Sequence, residues 1–314
     1  MTQPSLKSIR DVDHMVEPEA TVSDAMDAES CDAPITVIER SKPWQFVNLG
    51  ELYAYRDMLR FLTWRSIKAR YAQSAIGVGW AVIQPAFQVL LFTLVFGRLA
   101  NIDSDGVPYA FFSLVGLIPW TYFSNALSGG SNSLVGNASM ISKVYFPRLI
   151  LPLSDVVAKL FDFFIAFTLS MGVLLFFGRL PNSGILMLPY LILLMMVSAL
   201  GLSLWLTALA IQFRDIAHAL TFIVQLLMYA SPVIYPTSSV PETYTLPGGW
   251  VIWPQSLYAI NPMVGVVEGF RAALLGSGPM PYGWIAIGTV TATVTLLSGM
   301  MFFRSREKVF ADVA

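Results

Sequence analysis

The sequence predicts an all-α integral membrane protein with six transmembrane helices and both termini on the cytoplasmic side, preceded by an amphipathic helix at the membrane interface. Hydrophobic residues make up 55% of the 314-residue chain and charged residues only 12%, more apolar material than a soluble core of this length requires. Charge-free stretches cover 71–97, 106–142, 180–213, 216–241 and 272–303, and a spanning helix takes roughly 20 mostly apolar residues. Orientation follows from Lys and Arg, which stay cytoplasmic when they flank spans. One set of flanks holds Arg56, Arg60, Arg65, Lys68, Arg70, Lys143, Arg148, Arg214, Arg304, Arg306 and Lys308; the other holds only Arg98, Arg179 and Arg271.

Residues 1–43 read as a disordered acidic cytoplasmic tail, because Asp11, Asp13, Glu17, Glu19, Asp24, Asp27, Glu29, Asp32 and Glu39 face few cations and few large apolar residues. No cationic start leads into an apolar run there, so the tail is not expected to be a cleaved signal peptide. Cys31, the single cysteine, lies in this tail, which leaves no internal disulfide or Cys-based metal cage. His14 and His218 are too far apart in sequence and topology to form a site.

Residues 44–73 carry too many charges for a span. At 100° per residue Leu52, Tyr55, Met58, Leu59 and Leu62 share one face while Arg56, Asp57 and Arg60 take the other. Abutment on a span reads as an interfacial helix, against the plain alternative of a soluble amphipathic one.

The six-span domain covers 74–303, with spans at 74–97, 109–131, 152–178, 184–212, 216–235 and 282–303. Gln84, Pro85 and Gln88 interrupt the first span; amides at that depth either line a water-filled path or bond across helices beside a proline kink. Between the second and third spans, 137–150 concentrates Lys143, Tyr145, Phe146, Pro147 and Arg148 in a connector too short for a catalytic domain and suited to a docking surface. Asp155, Lys159 and Asp162 sit four and three residues apart, either paired along one helix face or available for proton-coupled transport. Residues 236–281 are too proline-rich for continuous helix. Asn261-Pro262 starts a short one, carrying Glu268 and Arg271, that dips into or lies on the outer leaflet. Gly265 and Gly269 have the spacing of a close helix contact, with Glu268 between them weakening that signal. Residues 304–314 form the cytoplasmic C-terminus.

Catalytic and metal chemistry find no support. No Gly-rich loop ending in Gly-Lys-Ser or Gly-Lys-Thr is present, so the chain binds no cofactor of its own and any driving ATP, with Mg, belongs to another polypeptide. Asp103-Ser104-Asp105 has the form of a sugar-nucleotide transferase motif but falls on the outer side, where a solvated turn is the better reading. There is no nucleophile-base pair and no His cluster, and nucleic acid is not an expected partner. Aromatics, 13% of the chain, serve either as interfacial belts and helix contacts or as stacking surfaces for sugar rings.

Several runs, in order, resemble ABC type 2 permeases that export polysaccharides or polyol phosphates. They are Trp64 to Tyr71, Gly77 to Pro85, Gly116-Leu117-Ile118-Pro119-Trp120, Lys143 to Arg148, Arg214-Asp215-Ile216, Ser231 to Tyr235, Asn261-Pro262-Met263 and Phe310 to Val313. The likeness is greatest to O-antigen (lipopolysaccharide) exporters, with teichoic acid and capsule exporters as near relatives and an ion-driven lipid or glycan flippase as the alternative class. It implies a homodimer in the bacterial inner membrane, paired with two ATPase subunits, moving undecaprenyl-diphosphate-linked polysaccharide to the periplasm. It implies that 137–150 is a coupling helix seated on the ATPase through Lys143, Tyr145, Phe146, Pro147 and Arg148. It further implies a periplasmic gate in 236–281 with Asn261, Glu268 and Arg271, and a channel lined by Trp80, Gln84, Phe87, Gln88, Tyr229 and Tyr235. Arg56, Arg60 and Arg65 would meet membrane lipid headgroups or the substrate diphosphate, and Lys143 and Arg148 would meet acids of the ATPase or that diphosphate.

Overall fold

The computed structural model describes residues 49–72, 77–141, 143–213, 215–245 and 251–307. The acidic tail expected at 1–43, the first residues of the interface stretch (44–48), the start of the first span (74–76), Arg214 and residues 308–314 lie outside the described residues.

Helices α1 (Leu49–Ala54) and α2 (Arg56–Tyr71) cover the interface stretch, parted at Tyr55. Their apolar face turns inward: Leu62 is buried and Leu52, Tyr55, Met58 and Leu59 pack beside it. The partners are Leu134, Phe146, Ile150, Leu151, Leu204, Ala208 and Phe303, a small core at the connector end of the bundle.

Helix α3 (Trp80–Phe92) continues as a π-helical turn, Thr93–Leu99, and α4 spans Tyr109–Gly136. A single turn, α5 (Ala138–Ile141), precedes α6 (Ile150–Phe176). Next come α7 (Leu188–Gln212), entered through a 3-10 turn at Ser183–Met187, and α8 (Asp215–Tyr229). A two-residue antiparallel pair, β1 (Tyr244–Thr245) with β2 (Val251–Ile252), leads to α9 (Pro254–Tyr258), α10 (Pro262–Leu275) and α11 (Tyr282–Arg306). Helix α4 is the hub: 67% of its most apolar window is buried, against 6% for the Trp80–Leu99 span, so α3 presents its apolar surface outward.

Among the described residues, five helices are long and apolar enough to cross a membrane: Trp80–Leu99, Tyr109–Gly136, Ile150–Phe176, Ser183–Gln212 and Tyr282–Arg306. The span expected at 216–235 is instead α8, whose 15 residues reach about 22 Å at 1.5 Å per residue, short of the roughly 30 Å hydrocarbon core. Pro232 lacks the N–H that would continue the helix. The chain turns through 230–235, and its carbonyls take donors from elsewhere. Asn261 donates to the Ala230 carbonyl at 2.8 Å, Arg271 to Val233 at 3.0 Å, Tyr109 to Ile234 at 2.7 Å, and Tyr235 back to Tyr229 at 2.7 Å. Away from water such carbonyls must be satisfied by protein, which is why this break needs polar side chains around it.

The connector also departs from a single helix. After α5 the chain runs without helix or strand through Tyr145, Phe146 and Pro147 before turning into α6. A proline disfavours the α region for the residue before it, which suits a break in helix at Phe146. In helix α10 all but Pro262 and Glu268 of its residues are buried, packed among α4, α7 and α11. The Gly265 signal was sound, since a Cβ there would lie 3.0 Å from the Ile285 backbone of α11. Glu268 does not obstruct that contact because its carboxylate is occupied on another side.

Candidate functional site

At the connector, sequence neighbours part company. Tyr145 is 80% exposed, whereas Phe146 is 4% exposed and sits in the small core with Leu62, Ile150 and Phe303. Lys143 and Val144 are exposed. Arg148 is half-buried, and its guanidinium donates to the backbone carbonyl of Glu307, just past α11. Arg65 of α2 donates to the Asn137 side chain at 2.7 Å. The exposed tip is therefore held by α2 on one side and by the end of α11 on the other.

The other two basic candidates of the interface stretch reach nothing beyond their own helix pair. Arg60 pairs with Asp57 at 3.3 Å, both exposed, and Arg56 lies 4.7 Å from the Tyr53 ring centroid. Charge does converge elsewhere. Arg70, at the end of α2, forms an ion pair with Asp162 of α6, whose carboxylate also accepts from the Tyr71 hydroxyl. Burial raises the Tyr71 phenol above its ordinary value, which keeps it protonated as that donor. One turn back, Ser66 donates to Asp155 at 3.1 Å. The expected pairing of Asp155, Lys159 and Asp162 along one helix face is thus replaced by pairing across to α2.

Beside these pairs lies a cavity of about 340 Å³ between the end of α2, α3, α4 and α6. Trp80 and Gln84 line it, as do Arg70, Thr121, Asn125 and Lys159. Of the six expected channel residues the structure brings only these first two to one cavity. Phe87 is 72% exposed, Gln88 is half-buried, and Tyr229 and Tyr235 lie beyond at the far end of α8.

The three gate candidates do meet. Asn261 caps α10, accepting from the Met263 N–H at 3.1 Å while its amide donates to Ala230 and, at 2.8 Å, to the Ser231 hydroxyl. Glu268 and Arg271 pair at 3.1 Å, with Glu268 also accepting from the Thr237 N–H and hydroxyl. Arg271, fully buried, reaches the Phe112 carbonyl at 3.4 Å as well as Val233. A two-point seam thereby ties α10 to α4 and to the turn after α8. Tyr109 and Phe112, which complete it, were not distinguishable in sequence from other aromatics in an apolar run. Asp105, part of the Asp-Ser-Asp triplet, lies in a turn with φ of 52° and accepts from Ser238 at 2.8 Å. No cluster with the makings of a metal site occurs among the described residues.

A bundle of membrane-length helices with cavities between them and a broken helix sealed from within has the character of a membrane transport subunit. The chain belongs to the ABC-2 type transporter family, whose sequence model matches residues 58–275. It is 29% identical over 263 residues to the O-antigen export system permease protein RfbA of Myxococcus xanthus, covering 83% of this chain and 97% of that one. It is 25% identical over 267 residues to an RfbA of Klebsiella pneumoniae, covering 85% and 97%. To the polysialic acid transport protein KpsM of Escherichia coli it is 25% identical over 252 residues, covering 78% and 91%.

Proposed function

We propose that this chain is the membrane subunit of an ATP-driven exporter that moves undecaprenyl-diphosphate-linked polysaccharide of the O-antigen type out of the cytoplasm. It works as a homodimer in the bacterial inner membrane, with two copies of a separate ATP-binding subunit and both of its own termini cytoplasmic. The observation that carries the reading is the connector: Lys143, Val144 and Tyr145 project from the bundle while Phe146 and Arg148 fasten the same segment to α2 and α11. An exposed tip on a rigid mount is what a moving ATPase needs to push against. In this reading Tyr145 and Lys143 meet the ATPase, whereas Phe146 and Arg148 pass its motion into the helices. The seam at Asn261, Glu268 and Arg271 serves as the outer gate, and Trp80 and Gln84 face the path. Likeness to a polysialic acid transport protein keeps capsule-type polysaccharide as the second substrate reading.

Deleting the gene tests the proposal. A lipid-linked polysaccharide should accumulate on the cytoplasmic face and reappear outside on complementation; its chemical analysis then decides between O-antigen and capsule. Undisturbed polysaccharide at the cell surface in the deletion strain would exclude the reading.

A further inference from the structure

We infer that the cavity beside the Arg70 and Asp162 pair is a binding site for a phosphate-type anionic headgroup, with Lys159 as its principal ligand. The inference rests on the reading of this chain as an exporter of a diphosphate-linked lipid, and it locates where that headgroup, rather than the glycan, is held.

Every charged neighbour of Lys159 already has a partner. Asp162 is taken by Arg70 and the Tyr71 hydroxyl, and Asp155 accepts from Ser66. Lys159 forms no ion pair within contact distance among the described residues, and Asp155, one turn back, attracts it only through space. Its stem passes close over α4, where a Cβ added to Gly129 would stand 3.1 Å from Cε and 3.6 Å from Nζ. A bulkier residue at Gly129 would displace the lysine, so the backbone leaves room for it.

A cation attracted by a carboxylate only through space retains part of its desolvation cost, and an arriving anion lifts it. The remaining polar wall suits an anion. Thr121, Asn125 and Gln84 can each donate, and Arg70 can turn a free N–H of its fork toward a second phosphate oxygen while keeping Asp162. Size argues the same way: the 340 Å³ cavity lies at the small end of ligand sites, which run about 300–1,000 Å³. That space fits a headgroup and excludes a folded stretch of sugar chain. Trp80 and Pro85 of α3 form the apolar wall along which an acyl or isoprenoid chain would leave toward lipid.

A phosphate headgroup could come from a polyisoprenyl diphosphate or from a bulk phospholipid, and one experiment separates the two. The full chain, purified with its ATP-binding partner, is placed in phosphatidylcholine nanodiscs and titrated with undecaprenyl diphosphate, undecaprenol or phosphatidylglycerol, with bound lipid read by native mass spectrometry. Undecaprenyl diphosphate should bind and undecaprenol should not. Lys159→Gln should weaken binding about ten- to a hundredfold, as expected for a lost charged hydrogen bond, and Lys159→Arg should largely restore it. Gln84→Glu, at an exposed position, should weaken binding by placing a carboxylate on the wall. If phosphatidylglycerol binds equally well with the same dependence on Lys159, the site stands and bulk lipid is its occupant. Unchanged binding in both Lys159→Gln and Gln84→Glu, or no anionic lipid bound by the wild type, overturns the inference. Failure of the exporter reading would show instead in the deletion strain, as polysaccharide export that continues.

Discussion

The Arg271 guanidinium carbon lies 3.5 Å from the centroid of the Phe112 ring, and a Cβ on Gly116, one helical turn further along α4, would come within 2.6 Å of Nη2. The arginine is thus held between a π face and a glycine gap while it serves Glu268, Phe112 and Val233. Arg271→Met strips three acceptors of their donor, and breaking a buried pair from one side costs on the order of 3–5 kcal/mol. Arg271→Lys should rescue little, because a point charge cannot reach three directions at once. Thermal unfolding of the purified protein in detergent reads both variants; wild-type stability in Arg271→Met would refute this assignment.

Gly116→Ala probes the same contact from the other helix. Either the guanidinium or α4 must shift, and overpacking of this kind costs about 1–3 kcal/mol. The expected result is a lowered melting temperature that combining with Arg271→Met does not lower further, since both act on one contact.

Tyr145 and Phe146 should separate cleanly. Phe146→Ala empties a buried site and should destabilise by about 3–5 kcal/mol. Tyr145→Ala, at an 80% exposed residue, should leave melting unchanged yet abolish co-purification of the ATP-binding subunit and lower export. Intact co-purification with Tyr145→Ala would remove that residue from the docking surface.

Asn261 has two separable duties. Asn261→Asp keeps the acceptor for the Met263 N–H but loses the donors to Ala230 and Ser231; Asn261→Ala loses both. Melting temperatures should fall in the order wild type, Asp, Ala, with the cap itself contributing about 1 kcal/mol. Equal loss in the two variants would mean that only the amide donors matter.

Glu307, just beyond the last span, makes stability pH-dependent. Burial, opposed in part by Arg148 and Arg304, holds its carboxyl above the ordinary carboxylate range. Its contribution is therefore full below the ordinary carboxylate value and fades as pH rises through the raised one. Glu307→Gln should melt higher than wild type at neutral pH and match it in acid. The difference would be absent at both pH values if the carboxyl were free in solvent.

Long apolar stretches made the five membrane-length helices legible, and the inward face of α1 and α2 followed from Leu52, Met58, Leu59 and Leu62 at helical spacing. Contacts across the bundle were not legible. Nothing in the order of residues told that Asp162 would turn to Arg70, ninety-odd positions earlier, instead of to Lys159 three positions away. The partners of Glu268 and Arg271 were hidden for a related reason: besides each other, the carbonyls of Phe112 and Val233 make their burial tolerable. The span expected at 216–235 ends as helix at Tyr229: 230–235 is apolar enough for lipid, while Pro232 decides its conformation. In the connector, Tyr145 and Phe146 are alike in sequence and differ only in which way the backbone turns them.

The turn after α8 has no donors of its own for the carbonyls of Ala230, Val233 and Ile234; it borrows them from α4 and α10. A displacement of α10 that withdraws Asn261 and Arg271 strands at least two of those carbonyls, and only water can replace the lost partners. Opening this seam and hydrating it are consequently a single event. Under the proposed gate role, the leak barrier and the latch would be made of the same hydrogen bonds.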